Sequence, residues 1–525
     1  MERKWWTLIA VSMAIFMLLL DITVVNVALP DIQRSLHSSF SDLQWVVNAY
    51  ALTLAALLLT AGAVSDLVGR KRVFLAGLFV FTIASAVCGL STTPLMLNLA
   101  RAVQGTGGAM MFSTALALIA EAFQGRERGT AFGVFGAVTG AAVAVGPVLG
   151  GIITSGIGWK WIFFVNIPIG AVAVFVTVTQ VADSRDPDAN GVDWAGLITF
   201  SGSLFLLIYA LVQGNEKGWG STEILALLIG AALLLIAFLA AESMQSRPML
   251  DLSLFRRPAF VGANIVALTL SGSFFAMFLY LTLYIQDVLG YSPIQAGLRF
   301  LPTTLLSFIV APIAGKLSVR VPVRLLLGAG LLFVGFGLVA MTTLTATSHW
   351  TVLIPGFLLA GVGVGLVNPP LASTAIGVVP HERSGMASGI NSTFRQVGIA
   401  TGIAGLGAIF QHSVTKGTTS ALNSAGQLAP VQSAAHGHLA VLLESGEVTQ
   451  IAHTLSHAGQ LALLHSYRTG FTGAFTTIAI VAAVIALCGA AFAFLLVRGR
   501  DFVGAGRSGP PAGPPAAEPV PAAAG

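Results

Sequence analysis

Apolar residues in this chain run in blocks of about twenty, the length a helix needs to cross the hydrocarbon of a bilayer. Such blocks fall at 7–29, 44–65, 73–92, 96–121, 131–155, 161–181, 192–213 and 222–242, and again at 260–285, 294–316, 323–345, 351–375, 386–411 and 470–497. They predict fourteen spanning helices. The first block follows Glu2, Arg3 and Lys4 as a secretory leader would, but stays apolar past Asp21 to Leu29 with no small-residue cleavage site. It is read as a spanning helix that stays attached. Two stretches break the pattern. Residues 412–468 form a long extracytoplasmic loop rich in Ala, Ser, Gln and His, in which Leu439–Leu443 and Ile451–Leu464 have the spacing of short amphipathic helices lying on the membrane surface. Residues 501–525, rich in Pro, Ala and Gly, read as a disordered tail.

Composition agrees with lipid as the solvent. Of 525 residues, 55% are hydrophobic and 9% charged, and the mean hydropathy is +0.87; a soluble domain carries about 25% charged residues. The net charge of +5 is too small to suggest nucleic-acid binding, but its distribution orients the chain. With the N-terminus inside, eighteen of the 26 Lys and Arg fall on the inner side and six on the outer. This obeys the positive-inside rule and places both termini in the cytoplasm of a plasma (inner) membrane protein. Cys88 and Cys488 lie within apolar runs as small hydrophobes. The histidines of 412–468 are irregularly spaced, with only His453 and His457 at i,i+4, so no metal site is expected.

An internal repeat divides the chain. Ala61-Gly62-Ala63-Val64-Ser65 recurs as Ala314-Gly315-Lys316-Leu317-Ser318, and Arg128-Gly129-Thr130-Ala131-Phe132-Gly133 is echoed by Ser384-Gly385-Met386-Ala387-Ser388-Gly389. Helix 2 thus corresponds to helix 10 and helix 5 to helix 13. The implied domains are a six-helix bundle over 1–185, two inserted helices over 186–250, and a second six-helix bundle over 251–500. Repeated halves flanking a midplane site are a transporter signature.

The loop after helix 2 reads Gly62-Ala-Val-Ser-Asp66-Leu-Val-Gly69-Arg70-Lys71-Arg72. Inner-face location alone explains Arg70, Lys71 and Arg72, but not Asp66, Gly62 or Gly69. This pattern resembles the signature loop of the major facilitator superfamily. Leu20-Asp21-Ile-Thr-Val-Val-Asn26-Val-Ala-Leu-Pro30 is similar to the first-helix motif of that superfamily's fourteen-helix drug:proton antiporters. Arg101-Ala-Val-Gln104-Gly-Thr-Gly-Gly108 resembles their fourth-helix motif, and Gly146-Pro147-Val-Leu-Gly150-Gly151 the motif associated with antiport. Trp159-Lys-Trp-Ile-Phe-Phe-Val-Asn166-Ile-Pro168 and Val288-Leu-Gly-Tyr-Ser-Pro293 also resemble that subfamily. Val319 stands where a second copy of Asp66 would fall, so the second-half loop departs from the pattern. The resemblance covers nearly the whole chain. It implies an all-α integral membrane protein of the major facilitator fold, two six-helix bundles plus two inserted helices.

Candidate chemistry centres on Asp21, about 22 Å along the first helix from its inner end. A carboxylate at that depth needs a cavity and a partner. Burial favours the neutral acid and a nearby cation the carboxylate, the competition a proton-coupling site needs. Arg101 enters helix 4 from outside at a similar depth; a pairing depends on which helix faces meet. The resemblance gives Arg101 a part in proton transfer. Asn26, Gln104, Asn368, Asn391 and Arg395 are expected to line a substrate cavity, with Arg395 either facing it or bonded to backbone carbonyls. Glu121 is expected to pair with Arg70 or a neighbouring base as an inner gate latch. Gly146, Pro147, Gly150 and Gly151 are read as close packing or as a hinge and seal against the other half.

The expected function is proton-driven export of amphipathic compounds, lipophilic and in the first place cationic, by a monomer in the bilayer. The proton gradient is the energy source and no cofactor is needed. A proton-coupled exporter or symporter of a specific metabolite, antibiotic or lipid on the same fold is the alternative. No nucleophile–base pair or His/Cys/carboxylate cluster at catalytic spacing supports an enzyme, and no filter-like repeat supports a channel.

Overall fold

The computed structural model describes residues 2–498 apart from 124, 186–190, 246, 247, 249, 319, 380–383, 436–438, 440–442 and 444–454. The expected tail at 501–525, Val319 and much of 436–454 lie outside the described residues. The spans are α1 (Arg3–Leu36), α2 (Phe40–Val68), α3 (Arg70–Leu90), α4 (Pro94–Ala122), α5 (Gly125–Gly156), α6 (Trp161–Gln180), α7 (Trp194–Lys217) and α8 (Thr222–Met244). They continue as α9 (Pro258–Val288), α10 (Pro293–Leu317), α11 (Val323–Thr343), α12 (Trp350–Ala375), α13 (Ser384–Ser424) and α14 (His457–Leu496). Thirteen are long and apolar enough to cross a membrane as they stand; α5, bent by 40° between 142 and 144, makes the fourteenth.

Local signals set the boundaries. Ser39 and Asp42 form a capping box at the start of α2, as do Ser292 and Gln295 at α10, where Pro293 takes the first turn. Thr93 caps α4 ahead of Pro94, and Asp193 and Ser221 cap the inserted helices. Between α2 and α3 the chain turns on Gly69 at φ +123°, a conformation L side chains rarely adopt. Arg70–Arg72 lie on one face of the bundle, the basic face; the term outer face denotes only the side opposite to it.

The first bundle has its own core, in which Val11, Ile15 and Leu18 of α1 meet Phe74, Phe81, Met111 and Ile119. In the second bundle, Gly330 and Gly337 of α11 meet Gly363 and Gly356 of α12, letting the two backbones approach closely. The second core extends towards the outer face into the ends of α1 and α2, where Val24, Val25, Leu43 and Val46 share one cluster with Tyr280, Tyr284 and Phe410. Among the described residues, hydrogen bonds between the two bundles are made there too: Gln44 Nε2 donates to the Ile403 carbonyl at 3.1 Å, Gln286 Nε2 to Val27 at 2.7 Å, and the Ile294 amide to Ser155 Oγ at 3.0 Å. The halves are closed on the outer face.

Of the inserted pair, α7 packs against α2 and α13, where Ile208 meets Ala51, Ala55 and Ala400. Helix α8 lies outside it, with 17% of its apolar window buried. Helix α9 carries two π-helical segments, Ser271–Phe275 and Tyr284–Val288.

The region 412–468 differs from expectation. Helix α13 runs on to Ser424 and α14 starts at His457, so much of the supposed loop is helix. Leu439 and Leu443 do not lie flat on a membrane surface. They pack with Leu422, Val431 and Leu463 into a small separate core. Their apolar faces are satisfied by one another and by the two long helices, which removes the reason to seek lipid.

Candidate functional site

Helices α1, α2, α3, α4 and α6 converge on Asp21. Its residue is 2% exposed and Arg101 1%, although both sit within membrane spans. Arg101 Nη1 donates to Asp21 Oδ2 at 2.5 Å and to Gln104 Oε1 at 2.8 Å. Gln104 Nε2 returns a bond to Asp21 Oδ1 at 2.9 Å, closing a ring of three side chains. Asn166 Nδ2 adds a donor to the same Oδ1 at 3.3 Å and a second bond to Ser85 Oγ at 3.0 Å, and Ser85 in turn donates to the Phe163 carbonyl at 2.8 Å. Arg101 Nε donates to the Val46 carbonyl at 3.0 Å, and its guanidinium carbon stands 4.3 Å from the Tyr50 ring centre.

The carboxylate therefore has one cationic and two amide donors, the kind of compensation a buried charge requires. Spacing explains why Arg101 and Gln104 act together: residues i and i+3 share a helix face. Asn166, Ser85 and Tyr50 were not singled out from the sequence as site residues. Asn166 lies in a quoted motif, which was a usable signal; Tyr50 and Ser85 carried none, since only the helix faces in three dimensions bring them here.

Gly146, Pro147, Gly150 and Gly151 divide between two tasks. A Cβ on Gly146 would strike the Thr23 side chain, and one on Gly150 would lie 3.0 Å from the Val24 carbonyl oxygen, so these two seat α5 on α1 beside Asp21. A Cβ on Gly151 would lie 2.6 Å from the Pro293 carbonyl oxygen of α10, and the Pro147 carbonyl in turn crowds Gly297. Pro147 and Gly151 thus form the seam between the halves.

The signature loop lies far from this cluster, on the basic face. Arg70 pairs with Asp66 at 3.0 Å and reaches Glu121 at 3.8 Å, while Arg72 pairs with Asp183 at 3.2 Å and Lys71 Nζ donates to the Val178 carbonyl at 3.0 Å. Gly62 has only an ordinary contact with Ser113. The Arg70–Glu121 pair exists, but it ties α3 to α4 within one bundle, and among the described residues no ion pair joins the two halves.

The expected cavity residues separate. Gln104 is fully buried in the Asp21 cluster. Asn391 is buried as well, donating to the Ala263 carbonyl at 3.3 Å and to Asn264 Oδ1 at 3.2 Å, so it fastens α13 to α9. Asn26 is half-buried and bonds back to the Ile22 carbonyl at 2.9 Å. Arg395 and Asn368 are half-buried and bonded to each other, Nη1 to Oδ1, at 2.9 Å. A separate apolar cavity of about 340 Å³ lies between the inserted pair, α2 and α13, lined by Leu59, Phe200, Phe238, Phe255, Ile390 and Phe394.

Comparison with known proteins follows the same lines. The Major Facilitator Superfamily pattern matches residues 11–403. The multidrug resistance protein Stp of Mycobacterium tuberculosis is 38% identical over 404 residues, 77% of this chain and 75% of that protein. The tetracenomycin C resistance and export protein of Streptomyces glaucescens is 33% identical over 497 residues, covering 92% of this chain and 91% of its own length. Among solved structures, a bacterial homologue of the human lysosomal transporter Spinster, inward-facing and unoccupied, aligns over 95% of this chain and 98% of its own with a TM-score of 0.62 at 17% identity, a likeness of fold. The chain belongs to the Major Facilitator Superfamily, and it is a membrane transporter, not an enzyme.

Proposed function

We propose that this protein is a proton-coupled efflux antiporter for amphipathic drug-like compounds, working as a monomer in the cytoplasmic membrane with both termini inside. The excess of Lys and Arg on the basic face supports that orientation. Export is supported by relatives named for multidrug resistance and for tetracenomycin C resistance and export. Coupling rests on one observation: a carboxylate, Asp21, enclosed among spanning helices and held by Arg101, Gln104 and Asn166. A proton on Asp21 would cancel its charge and release the guanidinium, turning a compact ion pair into an uncompensated cation. The helices carrying the two groups would then favour another packing, which is what couples protonation to a rocking of the halves. The outer seam at Gly151 and Pro293 would open in the alternate state and discharge the compound.

The test is transport in proteoliposomes under an imposed pH gradient, wild type against Asp21→Asn. Wild type should accumulate a lipophilic dye when the gradient is applied and lose it when a protonophore is added. The variant should fold but show no gradient-driven movement; full gradient-driven transport by the variant would overturn the assignment.

A further inference from the structure

The charges that lie well inside its spans include Asp21, Arg101 and Arg395. The first two neutralise each other and are closed off from any cavity. Arg395 has no such partner. Among the described residues its only hydrogen bond is to the neutral Asn368 amide at 2.9 Å, and no ion pair includes it. The sequence leaves few acids to supply one: α10 to α14 contain no Asp or Glu, and the single acid of α9, Asp287, is next to its outer end.

Arg395 does not escape to lipid. From Met386 to Gln411 every residue of α13 is buried or half-buried, because α2, α7, α9 and α14 surround it. Arg395 is half-buried on this enclosed helix, so its exposed part faces neighbouring protein elements and not open lipid. The same stretch carries Phe394 beside it in sequence, and further half-buried rings, Phe16 of α1 and Phe275 and Phe278 of α9, border the apolar core that joins the two halves. Helix α13 thus presents, within an apolar and partly aromatic protein interior, a guanidinium with no anionic partner among the described residues.

We propose that the cargo carries an ionised acid group, a carboxylate or phenolate, on an aromatic or lipophilic body, and that Arg395 is its anion-binding residue, oriented by Asn368. An isolated cation in a low-dielectric site is costly, and an anionic ligand relieves that cost while a cationic one adds to it. The guanidinium fork also suits a carboxylate in two-point contact. The cationic cargo expected from the sequence gives way on this point, because the one acid that would have attracted a cation is enclosed with Arg101.

This inference rests on the efflux reading for its setting, so binding and transport are measured separately. The full-length protein in nanodiscs is titrated with 1-pyrenebutyric acid, its methyl ester and 1-pyrenebutylamine, read by energy transfer from tryptophan. The acid should bind about tenfold tighter than the ester, as a charge-assisted hydrogen bond gives, and the amine weakest. Arg395→Gln should lose the preference for the acid and Arg395→Lys keep part of it. Equal affinity for acid and ester in the wild type, tighter binding of the amine, or an unchanged preference in Arg395→Gln would each overturn the proposal. The wild-type comparison decides the matter by itself if the variants do not fold. An intact preference for the acid without gradient-driven transport of either probe would support this assignment and count against the efflux reading.

Discussion

Asp21 and Arg101 are held in a closed ring with Gln104, and this arrangement predicts non-additive mutations. Asp21→Ala strands a buried guanidinium, a change that costs about 3–5 kcal/mol where one partner of a buried pair is removed. Removing both groups with Asp21→Ala and Arg101→Ala should cost less than the sum of the two single changes, and Asp21→Ala alone should lower the unfolding temperature most clearly. Thermal unfolding in detergent measures it; additive losses would show that the two side chains do not interact in the folded protein. The pair also marks how far the sequence could be read. That Asp21 and Arg101 sit at similar depth follows from counting residues along helices, since the rise is fixed. That Gln104 joins them and not the cavity does not follow, because Gln104 and Asn391 look alike in sequence and only the facing helices decide what they touch.

Helix α5 shows how a run of small residues serves two neighbours. Gly146 and Gly150 fit it to α1, while Gly151 faces α10 across the seam between the halves. The methyl group of Gly151→Ala would press on backbone, which yields less than a side chain, and overpacking of this kind costs about 1–3 kcal/mol. The outer seam should loosen as a result. A pair of cysteines at Ser155→Cys and Ile294→Cys, whose parent residues are bonded at 3.0 Å, should cross-link readily in the otherwise wild-type protein and poorly with Gly151→Ala added. Gly136→Ala, where a Cβ meets nothing within 4 Å, is the control that should leave the yield unchanged. The glycine motif was visible in the sequence, its division of labour was not. The π-helical segment Ser271–Phe275 was equally hidden, since nothing in its composition announces the extra residue; it lies where Gly272 meets Gly398 and Gly402 of the helix that carries Arg395.

At the scale of the molecule, hydropathy blocks gave the count of spans, because each span must satisfy its own backbone in lipid and so cannot be short or mixed. The same rule does not apply beyond the bilayer, which is why hydropathy does not mark the ends of α13 and α14. They run for 41 and 40 residues, about 60 Å each at the helical rise, against a hydrocarbon thickness of about 30 Å. The two ends meet in a core of Leu422, Val431 and Leu463. Leu422→Ala, fully buried, should cost that core about 2–5 kcal/mol and leave the spanning bundle intact. Trypsin should then cut faster at Lys416 or Arg468 while the main unfolding transition stays in place; a bundle that melts with the hairpin would contradict its independence. For imaging, this projection matters in another way. A membrane protein whose mass lies within a detergent belt offers an electron micrograph little asymmetry by which to align particles. A helical knob standing clear of the belt is a built-in landmark, and an antibody fragment raised against it would enlarge that landmark without approaching the Asp21 cluster.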